Sequence, residues 1–380
     1  MKKYSYLATA AKGTEQLLAE ELEELGAENI SSGRGIVSFK GDVELCWNVN
    51  LHSRVAMRIL RPIAEFECPT GDALYEGMKK IRWSEYVTPT QTIAIDATVE
   101  DTPELTHSHF VALKAKDAIV DQQRDELGAR PSVNPQDPDV AIVLRVKANR
   151  CWVSLNSSGE PLFKRGYRVR SVGAPMKETL AAAILLSTTY GGRRPFVDPM
   201  CGSGTLAIEA ALLATRRPPG RQRQFGFQRW PSFGQAQVKR WREILAESDE
   251  DVLARAPGTI LASDAADEAL AAAQANAQAA KVFTSIEFAR RDVRSVKPTS
   301  PPGILVMNPP YGERIGGRGE DLGGLYKAMG ERFAALRGHD VYVLVPAEVD
   351  PKAAFGMEPA ESFEFWNGPL ECRLLHFKAE

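Results

Sequence analysis

A chain of 380 residues with 47 Lys and Arg against 49 Asp and Glu carries a formal net charge of −2, so bulk positive charge is not how it could hold a nucleic acid. The length predicts two or three domains, each able to bury its own core. Apolar stretches are broken by charge or proline well before about 18 residues, and Met1-Lys2-Lys3-Tyr4-Ser5-Tyr6-Leu7 has no signal-peptide apolar region, so neither a membrane helix nor secretion is expected. In chain order, Tyr4 to Ala10 and Ile36 to Phe39 read as short strands. Between them Gly13 to Leu25 reads as a helix, with Leu18, Leu22 and Leu25 in one stripe and Gly26 at its C′ position. Phe110 to Leu127 is a second helix. A turn-rich segment from Arg130-Pro131 to Asp139 leads into a strand, Val140 to Val146, which pairs with Cys151 to Leu155. Periodicity alone makes this front part a small α+β module. His107 and His109 flank Ser108 ahead of the second helix and read as a capping loop, not a metal site.

The second half changes character. Phe196-Val197 end a short strand, Asp198-Pro199-Met200-Cys201-Gly202-Ser203-Gly204-Thr205 form a glycine-rich loop, and Leu206 to Ala214 are strong helix formers. Such a loop lets a ligand approach the backbone and aims helix N–H groups at it. A dinucleotide fold would want a third glycine and an acid roughly 20 residues on, and neither is present. Acids instead end the next two strands, at Asp264 after Thr259 to Ser263, and at Asp292. In series, Asp264 suits a ribose diol and Asp292 an adenine amine. Ile304-Leu305-Val306-Met307 is a buried-strand pattern, and it ends in Asn308-Pro309-Pro310-Tyr311, where open α/β sheets place their ligands. The two prolines remove donors and leave outward carbonyls, Asn308 adds an amide oxygen, and Tyr311 offers a flat ring. Two acceptors beside an aromatic face suit a planar exocyclic amine such as that of a nucleobase.

From Arg216 to Arg242 lie eight basic residues and no acid, with Phe225, Phe227, Trp230, Phe233 and Trp241 interleaved. Cations can neutralise phosphate while aromatic and guanidinium planes stack unpaired bases. The other reading is a surface segment whose aromatics pack inward. A second basic run, Arg145 to Lys177, holds eight Lys and Arg against Glu160 alone and bridges the two halves. Lys164, Arg165, Arg168, Arg221, Arg223 and Arg229 are the candidate RNA contacts. Leu322, Leu325, Tyr326, Met329, Phe333 and Leu336 make one helical stripe. Val341 to Val345 is a buried strand, and Phe363 to Phe377 is a hairpin turning at Asn367-Gly368. The cysteines at 46, 68, 151, 201 and 372 show no Cys-x-x-Cys pair, which argues for reduced thiols in the cytoplasm and against zinc. Cys201 reads as a small loop residue, not a nucleophile.

These motifs resemble the class I S-adenosylmethionine-dependent methyltransferases, and more narrowly the THUMP-domain RNA guanine-N2 methyltransferases, over essentially the whole chain. The residues that carry the resemblance are Leu155-Asn156-Ser157-Ser158-Gly159, Lys164-Arg165-Gly166-Tyr167-Arg168, Ala174-Pro175-Met176-Lys177-Glu178-Thr179-Leu180, the glycine motif, and Asn308 through Gly312-Glu313-Arg314. A bifunctional version of the family carries a second methyltransferase domain, and what that domain does is not an expectation for these 380 residues. The resemblance implies an α/β fold in three parts: a ferredoxin-like unit at 1–65, a THUMP RNA-binding domain at 66–157, and at 165–380 a Rossmann-like methyltransferase domain with a mostly parallel seven-stranded sheet and an antiparallel terminal hairpin. It also implies that Pro175, Lys177, Glu178 and Thr179 open a helix at the methionine end of the cofactor.

The function expected is methyl transfer from S-adenosylmethionine to guanine N2 in structured RNA, with large-subunit (23S) rRNA favoured over tRNA. Asn308 Oδ1 and the Pro309 carbonyl would accept the amine's two N–H bonds, and Tyr311 would stack the extruded base. No dedicated general base, metal, membrane or obligate protein partner is inferred. The alternatives are adenine-N6 or protein-glutamine methylation, which can use the same tetrapeptide, and a non-catalytic RNA-binding assembly factor. The basic insertion argues against a protein substrate. The intact set Asp198, Gly202, Gly204, Asp264, Asp292 and Asn308 argues against a degenerate enzyme.

Overall fold

The computed structural model describes residues 2–173, 175–311 and 322–378. Ala174 and the Gly312-Glu313-Arg314 part of the extended motif therefore lie outside the described residues. The front part contains β1 (Tyr4–Thr9), α1 (Glu15–Glu24), β2 (Glu28–Gly33), β3 (Ile36–Gly41), α2 (Val43–His52), β4 (Arg58–Glu67), α3 (Gly71–Lys79), β5 (Thr92–Glu100), α4 (Ser108–Leu127), β6 (Ser132–Val133), β7 (Val140–Lys147) and β8 (Arg150–Asn156). The rear part contains α5 (Glu178–Leu186), β9 (Phe196–Asp198), α6 (Thr205–Ala214), α7 (Gln235–Glu250), β10 (Ile260–Asp264), α8 (Asp267–Ala279), β11 (Ile286–Arg290), β12 (Ile304–Met307), α9 (Leu322–Ala334), β13 (Asp340–Pro346), α10 (Pro351–Phe355), β14 (Glu361–Asn367) and β15 (Leu370–Lys378).

The predicted front elements are present within two residues at each end. Leu18 and Leu22 are fully buried on α1, as the stripe requires. Four front strands are missing from the sequence reading, β2, β4, β5 and β6, and of these β4 organises the whole front. One edge of β4 pairs with β1 (Leu7 opposite Leu60), and its other edge pairs with β8 (Leu60 opposite Asn156 through Glu67 opposite Arg150). All eight front strands therefore form one sheet in the order β2-β3-β1-β4-β8-β7-β5-β6. Pro62 within β4 obscured it, because proline cannot donate to a ladder. The ladder shifts register between Pro62 and Ala64, and that irregularity accommodates the missing donor.

The rear sheet runs β11-β10-β9-β12-β13-β15-β14. β9 to β13 are parallel, β15 is antiparallel to β13, and β14–β15 form the expected hairpin, with Gly368 at φ 66° in its turn. β9 is flanked by β10 on one side and by β12 on the other, so the strand order reverses there. A crevice opens at such a point beyond the carboxyl ends of the strands. Asp198 is the last residue of β9, and Asn308 follows the last residue of β12.

The basic-aromatic insertion joins the halves. Phe225 and Phe227 are 1% exposed, Trp241 is 5% exposed, and the last two meet α2. Trp47 on α2 stacks on Phe227 at 5.6 Å and lies edge-on to Trp241 at 6.3 Å. Phe225 stacks on Phe227 at 5.5 Å. The inward-packing reading of these rings is the one the structure shows, because an apolar ring gains more from a dry partner than from an open groove. Phe227→Ala is expected to lower stability by about 3–5 kcal/mol through the cavity it leaves, measured as a fall in urea midpoint.

Candidate active site

The crevice at the switch point holds a cavity of about 130 Å³. The N-terminus of α6 opens onto it, and the segment just ahead of α5 passes along it. Pro175, Asp198, Cys201, Gly202, Ser203, Thr205 and Asn308 line it together with Val172, Met176, Met200 and Leu206. Seven of the predicted site residues are thus brought together. Gly204, at φ 83°, caps α6, and a Cβ there would lie 2.9 Å from that of Ala273, so glycine lets α6 and α8 approach. Gly202 is at φ 51° with nothing within 4 Å of a built Cβ, which leaves its face open toward a ligand. Pro199 and Thr179 are buried behind the loop and within α5.

The remaining predicted residues are placed less directly. Asp264 accepts from the Gly202 N–H at 2.9 Å and from the Ala266 N–H at 3.0 Å, so it shapes the loop from the end of β10. Asp292 is gripped by Arg294, whose Nε and Nη2 donate to its two oxygens at 2.8 and 2.6 Å. That pair holds the Asp292 carboxyl below the usual carboxylate range. Lys177 is exposed, with Nζ 5.2 Å from the Phe163 ring centroid. Glu178 turns away from the cavity toward Arg168.

Two buried acceptors stand out. Asp198 Oδ1 and Asn308 Oδ1 have no hydrogen-bond partner among the described residues, and both side chains line the cavity. Buried polar atoms are normally satisfied, so two orphans in one cavity mark where donors belong. Burial pushes the Asp198 carboxyl up to about 8, helped by the Asp264 charge and opposed by the N–H groups of Met200 and Ala207. Burial likewise pushes the Cys201 thiol well up, which leaves it inert at neutral pH. Pro310 accepts from Tyr326 Oη at 3.2 Å, and Tyr311 Oη accepts from Asn367 Nδ2 at 2.5 Å. Tyr311 is only 5% exposed, so its ring is held against the terminal hairpin and not offered as an open platform.

Sequence reading missed Asn276, in the Ala-rich helix α8. Its Oδ1 accepts from the N–H groups of Val169 and Arg170, and its Nδ2 donates to the carbonyls of Arg170 and Ser203. One fully buried amide thus ties the strap at 169–172 to the glycine loop. The only signal was a polar residue set among alanines.

The candidate RNA contacts divide sharply. Arg165 is 2% exposed and donates to the carbonyls of Leu162 and Arg54. Arg168 donates to Glu178, Met176 and Thr205. Arg223 is spent on the carbonyls of Pro161, Lys164 and Glu160, and burial lowers its pKa to about 10. These three face protein acceptors, a correction to the surface role expected of them. Lys164, Arg221 and Arg229 remain at the surface in ion pairs with Glu160, Asp249 and Asp137. Among the described residues no group of three or more His, Cys, Asp or Glu could hold a metal ion, and no helix is long and apolar enough to cross a membrane.

Residues 165–376 match the RMKL-like methyltransferase domain, 5–60 the RlmL ferredoxin-like domain, and 69–156 the THUMP domain. A candidate RNA methyltransferase of Synechocystis sp., slr0064, is 39% identical over 98% of this chain and 96% of its own. The chain belongs to the RMKL-like methyltransferase family. The ribosomal RNA large subunit methyltransferase K/L of Syntrophotalea carbinolica is also 39% identical, but this chain spans 53% of it, about half the length of the K/L relatives it matches. The solved structure of SMU.472, a candidate methyltransferase complexed with SAH, superposes with a TM-score of 0.89 at 31% identity, covering 100% of this chain and 99% of that one. Family membership and fold therefore agree on a class I methyltransferase domain behind a ferredoxin-like and THUMP front.

The Asp198 shift has a consequence for stability. Folding raises its pKa from 3.8 to about 8, so between those values the native state binds a proton that the unfolded chain releases. Stability contributed at this site is therefore lost as pH rises through that window. Asp198→Asn is expected to flatten the fall in urea midpoint between pH 5 and 8, as read from unfolding curves at stepped pH.

Proposed function

We propose that this protein transfers a methyl group from S-adenosylmethionine to the exocyclic N2 amine of a guanine in structured RNA, with large-subunit rRNA as the favoured substrate and the cytoplasm as its place of action. The observation that carries the reading is the donor-less Asn308 Oδ1, buried beside the cavity directly after β12. Bound in that cavity, S-adenosylmethionine would supply a methyl group on an electrophilic sulfonium. The residues fit it: a glycine loop with an open face, Asp264 at the end of the next strand, and the N-terminus of α6. The SAH in SMU.472 and the names of the rRNA and RNA methyltransferase relatives support the same donor and substrate class.

A guanine amine is a weak nucleophile because its lone pair is delocalised into the ring. Asn308 Oδ1 and the Pro309 carbonyl, accepting its two N–H bonds, localise that lone pair where it can attack. Pro309 and Pro310 keep the turn free of competing N–H donors. The remaining contribution of the site is alignment of the reacting groups. The same reading divides the chain at 1–65, 66–157 and 165–380, with β4 running across the first boundary. It assigns RNA contact to Lys164, Arg221 and Arg229, since exposed ion pairs are worth little and exchange readily for phosphate.

Asn308→Ala removes one acceptor and leaves the cofactor cavity otherwise intact. It is expected to slow single-turnover transfer on the order of 10²-fold, the usual scale for one pre-organised polar contact at a reacting group, with RNA binding near wild type. Tyr311→Phe strands the buried Asn367 amide and is expected to cost about 1–3 kcal/mol of stability, with a smaller effect on rate. The readout is N2-methylguanosine formed on rRNA fragments. Product on adenine or on protein, or an unimpaired Asn308→Ala, would overturn the mechanism.

Charge reversal at Lys164, Arg221 and Arg229 is expected to weaken RNA binding and flatten its salt dependence, by roughly 0.9 in slope per lost duplex phosphate contact or 0.7 for single strands. Filter binding across a salt series measures both quantities, and unchanged affinity and slope would remove these residues from the RNA surface.

A further inference from the structure

The rings of the basic-aromatic insertion do not all enter the joint between the halves. Phe225, Phe227, Phe233 and Trp241 pack on one another or on Trp47, whereas Trp230 makes no ring contact among the described residues. Trp230 instead lines a separate cavity of about 260 Å³, with Lys2 and Tyr4 from the start of the chain, Arg61 from β4, and Glu85 and Tyr86 from the segment between α3 and β5. It is 8% exposed, and its indole N–H has no acceptor among the described residues. Buried donors are normally satisfied, so this one marks a place for an acceptor. The Arg61 guanidinium lies 4.1 Å from the Tyr4 ring centroid, and Lys2 Nζ lies 5.3 Å from it. Glu85, the one acid in the lining, is paired with Arg82 at 2.7 Å, while neither Lys2 nor Arg61 enters an ion pair among the described residues. The chain beside Trp230 is anchored to the front: Gln91 Nε2 donates to the Arg229 carbonyl at 2.6 Å, and Arg229 Nη2 donates to Asp137 at 2.5 Å.

We propose that this cavity takes one unpaired nucleotide of the substrate RNA, with its base among the Tyr4, Tyr86 and Trp230 rings and its phosphate on Lys2 and Arg61. This rests on the RNA-methyltransferase reading and adds a contact point apart from Lys164, Arg221 and Arg229. Aromatic rings beside cations are the combination that holds single-stranded nucleic acid, since every base offers a flat face and every linkage a charge. Cations with no acid of their own are the ones that gain most from a phosphate. The volume lies below the roughly 300–1,000 Å³ of pockets for drug-sized ligands, which suits one nucleotide and excludes a duplex. The lining comes from both halves of the chain, so a nucleotide seated there ties the RNA to the front module and to the methyltransferase half at once. Such a contact sets the register of the RNA on the protein.

The alternative is that the cavity is only a gap where three segments meet, and the form of the RNA separates the two. Filter binding on the full chain compares a single-stranded oligouridylate about 12 nucleotides long with an RNA duplex of the same length. Tyr86→Ala is expected to weaken the single strand roughly 5–150-fold, the range for one lost base–aromatic stack. The duplex, whose bases stay paired, is expected to change by no more than about twofold. Arg61→Gln is expected to lower the salt slope for the single strand by roughly 0.7, whereas Tyr86→Ala leaves that slope unchanged. In the wild type, an oligouridylate carrying one 5-iodouridine is expected to photocrosslink to Tyr4, Tyr86 or Trp230, as mapped by peptide mass spectrometry. A Tyr86→Ala variant that weakens both RNAs alike or neither, or crosslinks confined to other segments, would overturn the subsite and leave the methyltransferase reading standing. No binding of either RNA by the wild type would overturn the RNA reading itself.

Discussion

The site depends on how α6 is held, because this helix carries the glycine loop at its N-terminus and three guanidiniums grip it along its length. Arg54, from the front module, donates to the carbonyls of Leu212 and Arg217 at its C-terminal end, where a cation suits the helix dipole. Arg165 lies 3.5 Å from Glu209 in the middle of the helix. Arg168 reaches Thr205 at its first turn. Glu209 is 1% exposed, and burial pushes its carboxyl above the usual range although Arg165 and Arg54 pull it down. Tyr167 Oη donates to the same carboxylate at 3.0 Å. Buried ion pairs of this kind gain little net stability over apolar packing, but removing one partner leaves a charge stranded at a cost of about 3–5 kcal/mol. What the arrangement fixes is the orientation of the front module against the helix that ends in the cofactor loop.

The same economy explains the basic-aromatic insertion. Read as composition, arginines among aromatic rings look like a surface for unpaired RNA. In three dimensions the rings fill the joint between α2 and α7, and Arg223 satisfies backbone carbonyls of the strap at 160–164. An interface between domains in one chain needs apolar anchors and donors for its stranded carbonyls, and both look from sequence like a nucleic-acid groove. Charge counts cannot separate these cases; only the identity of the acceptor can.

That distinction also marks how far the sequence was legible. Asp198, Gly202, Gly204 and Asn308 could be placed because each sits at a strand end in a pattern whose geometry is local. The hairpin at Asn367-Gly368 and the stripe on α1 were legible for the same reason. β4 was not, since Pro62 breaks its pattern and its two pairing partners lie about 50 and 95 residues away along the ladder registers. Asp292 stands at the expected position and pairs there with Arg294 two residues on, a local contact that strand-end placement did not reveal. Arg165 and Arg168 stand three residues apart in one basic run, and they differ because Glu209 and Glu178 arrive from separate helices.

A final link concerns Tyr311. Asn367, which holds its hydroxyl, ends β14, and the neighbouring Trp366 carries Lys12 Nζ 3.7 Å from its ring centroid. Gly13, at φ 88°, packs so closely there that a Cβ would fall 2.9 Å from the Glu364 carbonyl and from the Trp366 ring. The front module therefore touches the hairpin that positions Tyr311 as well as the helix that carries the glycine loop. The hairpin behind Tyr311 and the helix behind the glycine loop are thus both braced by the front module. A loop between β1 and α1 that tolerates only glycine at its contact point leaves little room for the hairpin to drift. The glycine loop and the turn after β12 thus share one support, which keeps the orphaned oxygens of Asp198 and Asn308 in a fixed relation.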